Sequence, residues 1–138
     1  MEHSSLSIPK GRSLDCVTLG RANMDLYTEV ERSIEETGSF TKSVGGSPAN
    51  IAAAMARLGM KVGMITRVAD DPIGHFVVEF LKEMGVDTSR ISFDRDGAST
   101  SVAFAETRSS GSRTVLYRNN AADLLLSPAE IDGAYLAD

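Results

Sequence analysis

Two short stretches of this sequence carry residues placed to hold a ligand. Asn23-Met24-Asp25 follows an apolar run and offers a carboxylate. In open α/β sheets ligands lie outside the carboxyl ends of the strands, so Asp25 is placed to be a ligand group. A turn-forming Asn-x-Asp is an equal alternative. Gly45-Gly46 leads directly into Ser47-Pro48 and an alanine-rich stretch. Paired glycines let backbone N–H groups approach a ligand closely, and a helix N-terminus adds positive potential there. A tight loop entering a closely packed helix is the plainer reading of the same residues. The single cysteine, Cys16, lies inside an apolar run and reads as a core thiol. His75 falls off the apolar stripe of its helix and reads as a solvated residue. The only other histidine is His3, so no cluster with metal-ligand spacing exists.

Positioning these groups requires elements that the hydrophobic pattern marks out. Leu14 to Gly20 is a short apolar run with β-branched residues and predicts a buried strand. Glu29 to Gly38 is polar and acidic and reads as a surface loop, with a short edge strand at Ser39 to Val44. Ser47 is a suitable N-cap, Pro48 a suitable first helical residue and Gly59 a suitable stop. Between them Ile51, Met55 and Leu58 share one face. Lys61 to Val68 predicts another strand. Asp70-Asp71-Pro72 then caps a helix on which Ile73, Phe76, Val77, Phe80, Leu81 and Met84 form one apolar stripe, ended by Gly85. A short strand follows around Ile91-Ser92-Phe93, and Asp94-Arg95-Asp96-Gly97 is turn chemistry. Thr100 to Thr107 and Arg113 to Arg118 read as a hairpin with Val102 and Phe104 on its apolar face. Ser127-Pro128-Ala129-Glu130 is a capping box that predicts a helix running to Asp138. The order predicts a parallel sheet with a hairpin appendage. The last helix has no strand after it, so the chain is expected to be the front part of a longer domain.

Length and composition fit a single soluble globular domain. The chain has 138 residues, 42% of them hydrophobic and 24% charged. Its formal net charge of −5 argues against coating nucleic acid or an anionic membrane. One cysteine excludes an internal disulfide framework and points to a reducing, cytoplasmic setting. No apolar run is long enough to cross a membrane, and residues 1–13 lack the apolar core of a signal peptide and read as a flexible tail.

Gly45-Gly46-Ser47-Pro48-Ala49-Asn50, followed by a small-residue helix ending in Gly59, resembles the N-terminal signature of the pfkB (ribokinase-like) carbohydrate kinases. Asn23-Met24-Asp25 matches the family's Asn-x-Asp, Asp70-Asp71-Pro72-Ile73-Gly74 its Asp-Asp-x-x-Gly element, and Phe93 with the Thr100 to Arg118 hairpin its lid region. Ala69 departs from the glycine usual there. The resemblance covers nearly all of Leu14 to Asp138. It implies a ribokinase-like parallel sheet flanked by helices with a β-hairpin lid, N-terminal portion only, with lid strands near 39–44 and 100–118. It also implies ATP- and Mg2+-dependent phosphorylation of a primary hydroxyl. Gly20-Arg21-Ala22, Val44 to Ala52, Tyr117-Arg118 and Ala122-Asp123-Leu124 resemble the members acting on 5-dehydro-2-deoxy-D-gluconate in myo-inositol catabolism. 2-Keto-3-deoxygluconate is the alternative substrate.

On this resemblance Asp25, Gly45, Gly46, Asn50 and Arg118 are the substrate-binding residues. Asp25 would accept from sugar hydroxyls, and Gly45 and Gly46 would offer unobstructed N–H groups. Asn50 would donate and accept, and the Arg118 fork would meet a carboxylate or keto oxygen. Tyr117 is expected in lid packing and Lys42 in solvent. The family's Gly-x-Gly-Asp segment, with its anion hole and catalytic base, does not occur in these residues, nor does a Walker A pattern. The chain alone is therefore expected to hold the sugar half of a site and no kinase activity. A non-catalytic sugar-binding module, or a dimerisation module acting through the lid strands, is the reading from another class. A dinucleotide-binding fold is disfavoured because no Gly-x-Gly-x-x-Gly follows the first strand.

Overall fold

A computed structural model describes residues 11–137. The first ten residues of the expected tail lie outside the described residues. In chain order the strands are β1 (Cys16–Leu19), β2 (Asn23–Thr28), β3 (Phe40–Gly45), β4 (Val62–Ala69), β5 (Ile91–Asp94), β6 (Val102–Ala105) and β7 (Thr114–Tyr117). The helices are α1 (Ser47–Arg57), α2 (Pro72–Glu83) and α3 (Gly133–Ala137).

The strands form two sheets. β1, β4 and β5 make a parallel sheet in the order β1-β4-β5, and β3, β2, β6 and β7 make a second sheet in the order β3-β2-β6-β7. The second sheet is mixed: β2 pairs antiparallel with β3 and parallel with β6, and β6 pairs antiparallel with β7. The expected hairpin of β6 and β7 is present, but it belongs to this four-stranded sheet, called the lid sheet below, and is not appended to the parallel one. The difference comes from β2, whose Asn-Met-Asp-Leu-Tyr-Thr run alternates polar and apolar side chains and pairs on both edges.

The core lies where α1 and α2 pack on one face of the parallel sheet. Val62, Met64, Val68 and Ile91 from β4 and β5 meet Ala49 and Ala52 of α1 and Val77 and Leu81 of α2, joined by Val44 and Met24 from the lid sheet. The α2 stripe is as expected, with Asp71 as N-cap accepting a hydrogen bond from the Gly74 backbone N–H at 2.7 Å. On α1 the buried residues are Ala49 and Ala52. Ile51 and Leu58 are exposed, Leu58 by 83%, and the alanines face the sheet. Small side chains let this helix lie close to β1 and β4, so its larger residues are turned outward.

Ser47 is not the N-cap of α1. The helix starts at Ser47, its N-cap is Gly46, and no side chain caps it. Gly46 is the only residue between β3 and α1, and its φ of +99° makes the abrupt change of direction possible. The capping box at Ser127 and Glu130 is present, but it closes a single 3₁₀ turn at Pro128–Glu130. α3 begins separately at Gly133. Among the described residues no helix is long and apolar enough to cross a membrane.

Candidate functional site

The lid sheet presents two chemically different faces. Residues in register point to the same side of a sheet, and so do residues two apart on one strand. Asp25 pairs with Ser43 on β3 and Ala103 on β6, and Ala103 pairs with Leu116 on β7. Asn23 and Tyr27 flank Asp25 on the same side of β2, and Gly45 is the register partner of Asn23. This face is polar, with small residues between its polar groups. The other face carries Leu26, Phe104 and Val115 in one row, with Phe40 and Tyr117 nearby. Phe104 makes edge contacts with Phe40 at 5.4 Å and Tyr117 at 6.0 Å between ring centroids. Tyr117 therefore belongs to the apolar lid face, as expected.

Asp25 is held from both sides. The Asn23 side-chain amide donates to its Oδ1 at 2.5 Å and the Tyr27 hydroxyl to its Oδ2 at 3.1 Å. Partial burial, then the charge and hydrogen bonding of Asp25, push the Tyr27 hydroxyl above its ordinary pKa, so it stays a donor. Asn23 is buried, and among the described residues its Oδ1 has no hydrogen-bond partner. The two glycines complete the cradle. A Cβ on Gly45 would lie 2.2 Å from each carboxylate oxygen of Asp25. A Cβ on Gly46 would lie 2.3 Å from the Arg21 backbone oxygen and 3.3 Å from Asn23 Oδ1. Neither position takes a side chain unless a neighbour moves, so Asp25, Gly45 and Gly46 form one compact cluster.

Asn50 and Arg118 stand further out. Asn50 is exposed in the first turn of α1, where its N–H donates to the Gly46 carbonyl at 2.9 Å. It lines a groove of about 650 Å³ with Ser43, Val44, Phe80 and Met84, and Ser43 is the register partner of Asp25. Arg118 follows β7 and is two residues on from Leu116, the residue in Asp25's row. Strand spacing puts its Cα about 12 Å from that of Asp25. Its Nε donates to Asp123 Oδ2 at 3.0 Å and its Nη2 donates to the same oxygen. The Ser101 hydroxyl donates to Asp123 Oδ1 at 2.9 Å.

Sequence reasoning did not place Tyr27, Ser43, Ser101 or Asp123 in the site. The signal for Tyr27 and Ser43 is strand alternation around Asp25, visible only once β2 is recognised. Of the residues set aside, Cys16 packs partly buried against the core. His75 is more than half exposed, pairs with Asp70 at 2.8 Å and stacks on Phe93. Lys42 is exposed with its ammonium 4.4 Å from the centre of the Phe76 ring. Among the described residues no group of three or more His, Cys, Asp or Glu side chains could hold a metal ion.

Comparison with known proteins adds an independent line. The family model for pfkB family carbohydrate kinases matches residues 13–137. A 5-dehydro-2-deoxygluconokinase from Geobacillus kaustophilus is 50% identical over 135 residues, covering 96% of this chain and 40% of that protein. The crystal structure of a 2-dehydro-3-deoxygluconokinase from Thermotoga maritima is similar with a TM-score of 0.82 and 27% identity, covering 88% of this chain and 38% of that one. That of an uncharacterized sugar kinase from Pyrococcus horikoshii in complex with ATP has a TM-score of 0.80 and 28% identity, covering 88% and 39%. The chain spans about two fifths of the length of the curated relatives it matches. The fold is the ribokinase-like α/β architecture of these sugar kinases.

Proposed function

The chain belongs to the pfkB family of carbohydrate kinases, and we propose that it forms the sugar-binding share of an ATP-dependent kinase for the primary hydroxyl of 5-dehydro-2-deoxy-D-gluconate, a step of myo-inositol catabolism. Residues 14–138 would then be the N-terminal part of one kinase domain. One observation carries the reading. Asp25 and Arg118, a carboxylate and a guanidinium, have their Cα atoms about 12 Å apart by strand spacing, with the small residue Ala103 of β6 between their strands. That spacing suits a linear sugar acid, with hydroxyls on Asp25 and the acid group toward Arg118. The name of the Geobacillus relative and the subfamily-like stretches support the same substrate.

Phosphoryl transfer is mostly positioning and charge stabilisation. The work assigned to these residues is to hold the sugar with its hydroxyl in line and to exclude water. Asp25, kept in place by Asn23 and Tyr27, would accept from adjacent hydroxyls. Gly45 and Gly46 would let the sugar approach the backbone, and Asn50 would close the groove side. These residues do not fit a nucleotide or magnesium site. The described side chains assemble no carboxylate cluster, and the sequence holds neither a Walker A pattern nor Gly-x-Gly-Asp. ATP and Mg2+ are proposed for the whole kinase, outside these residues, and the 138-residue chain alone is proposed to transfer no phosphate. A homodimer through the apolar lid face of Phe40, Phe104, Val115 and Tyr117 is part of the proposal, as is a cytoplasmic setting.

Calorimetric titration of 5-dehydro-2-deoxy-D-gluconate and 2-keto-3-deoxygluconate into the chain tests the reading. Tighter binding of the first is expected. Tighter binding of the second overturns the substrate, and phosphorylation of either by the chain with ATP overturns the division of labour. A monomer by sedimentation at micromolar concentration overturns the dimer.

A further inference from the structure

We infer that Asp123 is a positioning residue for Arg118: it holds one edge of the guanidinium so that the other edge is presented to the substrate's carboxylate. The inference rests on the proposed sugar-acid site and adds to it the group that sets discrimination between an acid and its uncharged counterpart.

A guanidinium has five N–H donors in a fixed plane. Asp123 Oδ2 accepts from Nε and Nη2 of Arg118, which uses the side edge of the fork. The second N–H of Nη2 and both of Nη1 remain, and no described residue accepts from Nη1. Two of those three hydrogens, one on each Nη, lie at the end of the fork, the edge that can take a second carboxylate in a two-bond contact. Asp123 is itself fixed. Its side chain is 2% exposed, against 37% for Arg118, so the anchor is buried and the anchored group reaches solvent. Its other oxygen accepts from Ser101 Oγ, and Ser101 precedes Val102, the strand partner of Tyr117. The carboxylate is thereby tied to β6 and the arginine to β7, at the end of the lid sheet where Asn23 and Gly45 also lie. A freely rotating arginine would lose side-chain entropy on binding, and one held along an edge has already given most of it up.

The test measures binding of 5-dehydro-2-deoxy-D-gluconate and its 1-carboxamide to the full chain by calorimetry. The amide keeps the shape and hydroxyls and loses the charge. Asp123→Asn is expected to weaken the acid about tenfold, the scale of one well-aligned charge-assisted bond, and to leave the amide within about twofold. In an Arg118→Ala background Asp123→Asn is expected to change the acid-to-amide ratio no further. Should Asp123→Asn not fold, Ser101→Ala, which loosens the anchor without removing it, is expected to weaken the acid alone. Equal weakening of acid and amide would make Asp123 merely structural and overturn the inference. So would an unchanged ratio in Asp123→Asn alongside a collapsed ratio in Arg118→Ala, with the site itself standing. An unchanged ratio in Arg118→Ala, or no binding of either probe to the unsubstituted chain, overturns the sugar-acid site and the inference with it.

Discussion

Replacing Gly45 with alanine separates binding from folding. The new methyl would sit 2.2 Å from both oxygens of Asp25, more than 1 Å inside ordinary van der Waals contact (about 3.5 Å). What yields is the tip of a side chain, since Gly45 has ordinary strand backbone and the obstacle is a carboxylate. Asp25 swings off Asn23 and Tyr27 at the cost of those two hydrogen bonds, an effect on stability of about 1–2 kcal/mol. Its bonds to sugar hydroxyls are lost as well. Two charge-assisted bonds at the lower end of their range are worth about 3 kcal/mol, a hundredfold or more in Kd. The neighbouring glycine provides the contrast. Alanine at Gly46 meets the rigid Arg21 backbone oxygen at 2.3 Å and is forced to φ near +99°, so folding itself suffers by about 3 kcal/mol or more. Thermal unfolding followed by circular dichroism and calorimetric sugar titration give both quantities. Gly45→Ala binding sugar within threefold of the unsubstituted chain refutes the reasoning. So does a stability loss at Gly45 as large as at Gly46.

Other outcomes follow from the same geometry. Tyr27→Phe removes one donor to Asp25 and is expected to raise the sugar Kd about fivefold with little change in melting temperature; an unchanged Kd removes Tyr27 from the site. Leu81→Ala empties a fully buried position on the inner side of α2 and is expected to cost about 2–5 kcal/mol in urea unfolding, a loss under 1 kcal/mol showing that the core is loose there. Glu106 gives a pH dependence. Arg113 beside it, helped by the backbone N–H groups of Ile34 and Arg113, holds its carboxyl down from 4.5 to about 2 against the effect of burial. A carboxyl depressed in the folded state stabilises fully above its unfolded value and loses that contribution as pH falls. The melting-temperature gap between the unsubstituted chain and Glu106→Gln is therefore expected to narrow between pH 5 and pH 2. A gap constant over that range contradicts the assignment.

Much of the fold is legible from local chemistry. The α2 stripe, its Asp71 cap, the β6–β7 hairpin and the parallel strands each declare themselves by period and boundary residues. β2 does not, because Asn23 and Asp25 are turn-formers by propensity and only pairing with β3 and β6 makes them a strand. Losing β2 hides the lid sheet, and with it the alternation that brings Tyr27 and Ser43 beside Asp25. The buried side of α1 is not legible for a different reason. Its largest apolar residues, Ile51 and Leu58, are exposed because close approach to the sheet selects alanine on the buried side. Within the site, the cluster of Asp25, Gly45 and Gly46 is readable because it depends on residue types that little else can replace. Asp123 is not, since its partners Arg118 and Ser101 meet it only through the folding of three separate segments.

The measurement that bears most directly on the central claim is a two-dimensional NMR titration of the ¹⁵N-labelled chain with 5-dehydro-2-deoxy-D-gluconate. The account predicts saturable shifts centred on the amides of Asn23, Asp25, Gly45, Gly46, Asn50 and Arg118, with the apolar lid face around Phe104 and Val115 unmoved. Shifts centred on that apolar face, or no saturable shift at Asp25 and Gly45, would contradict it.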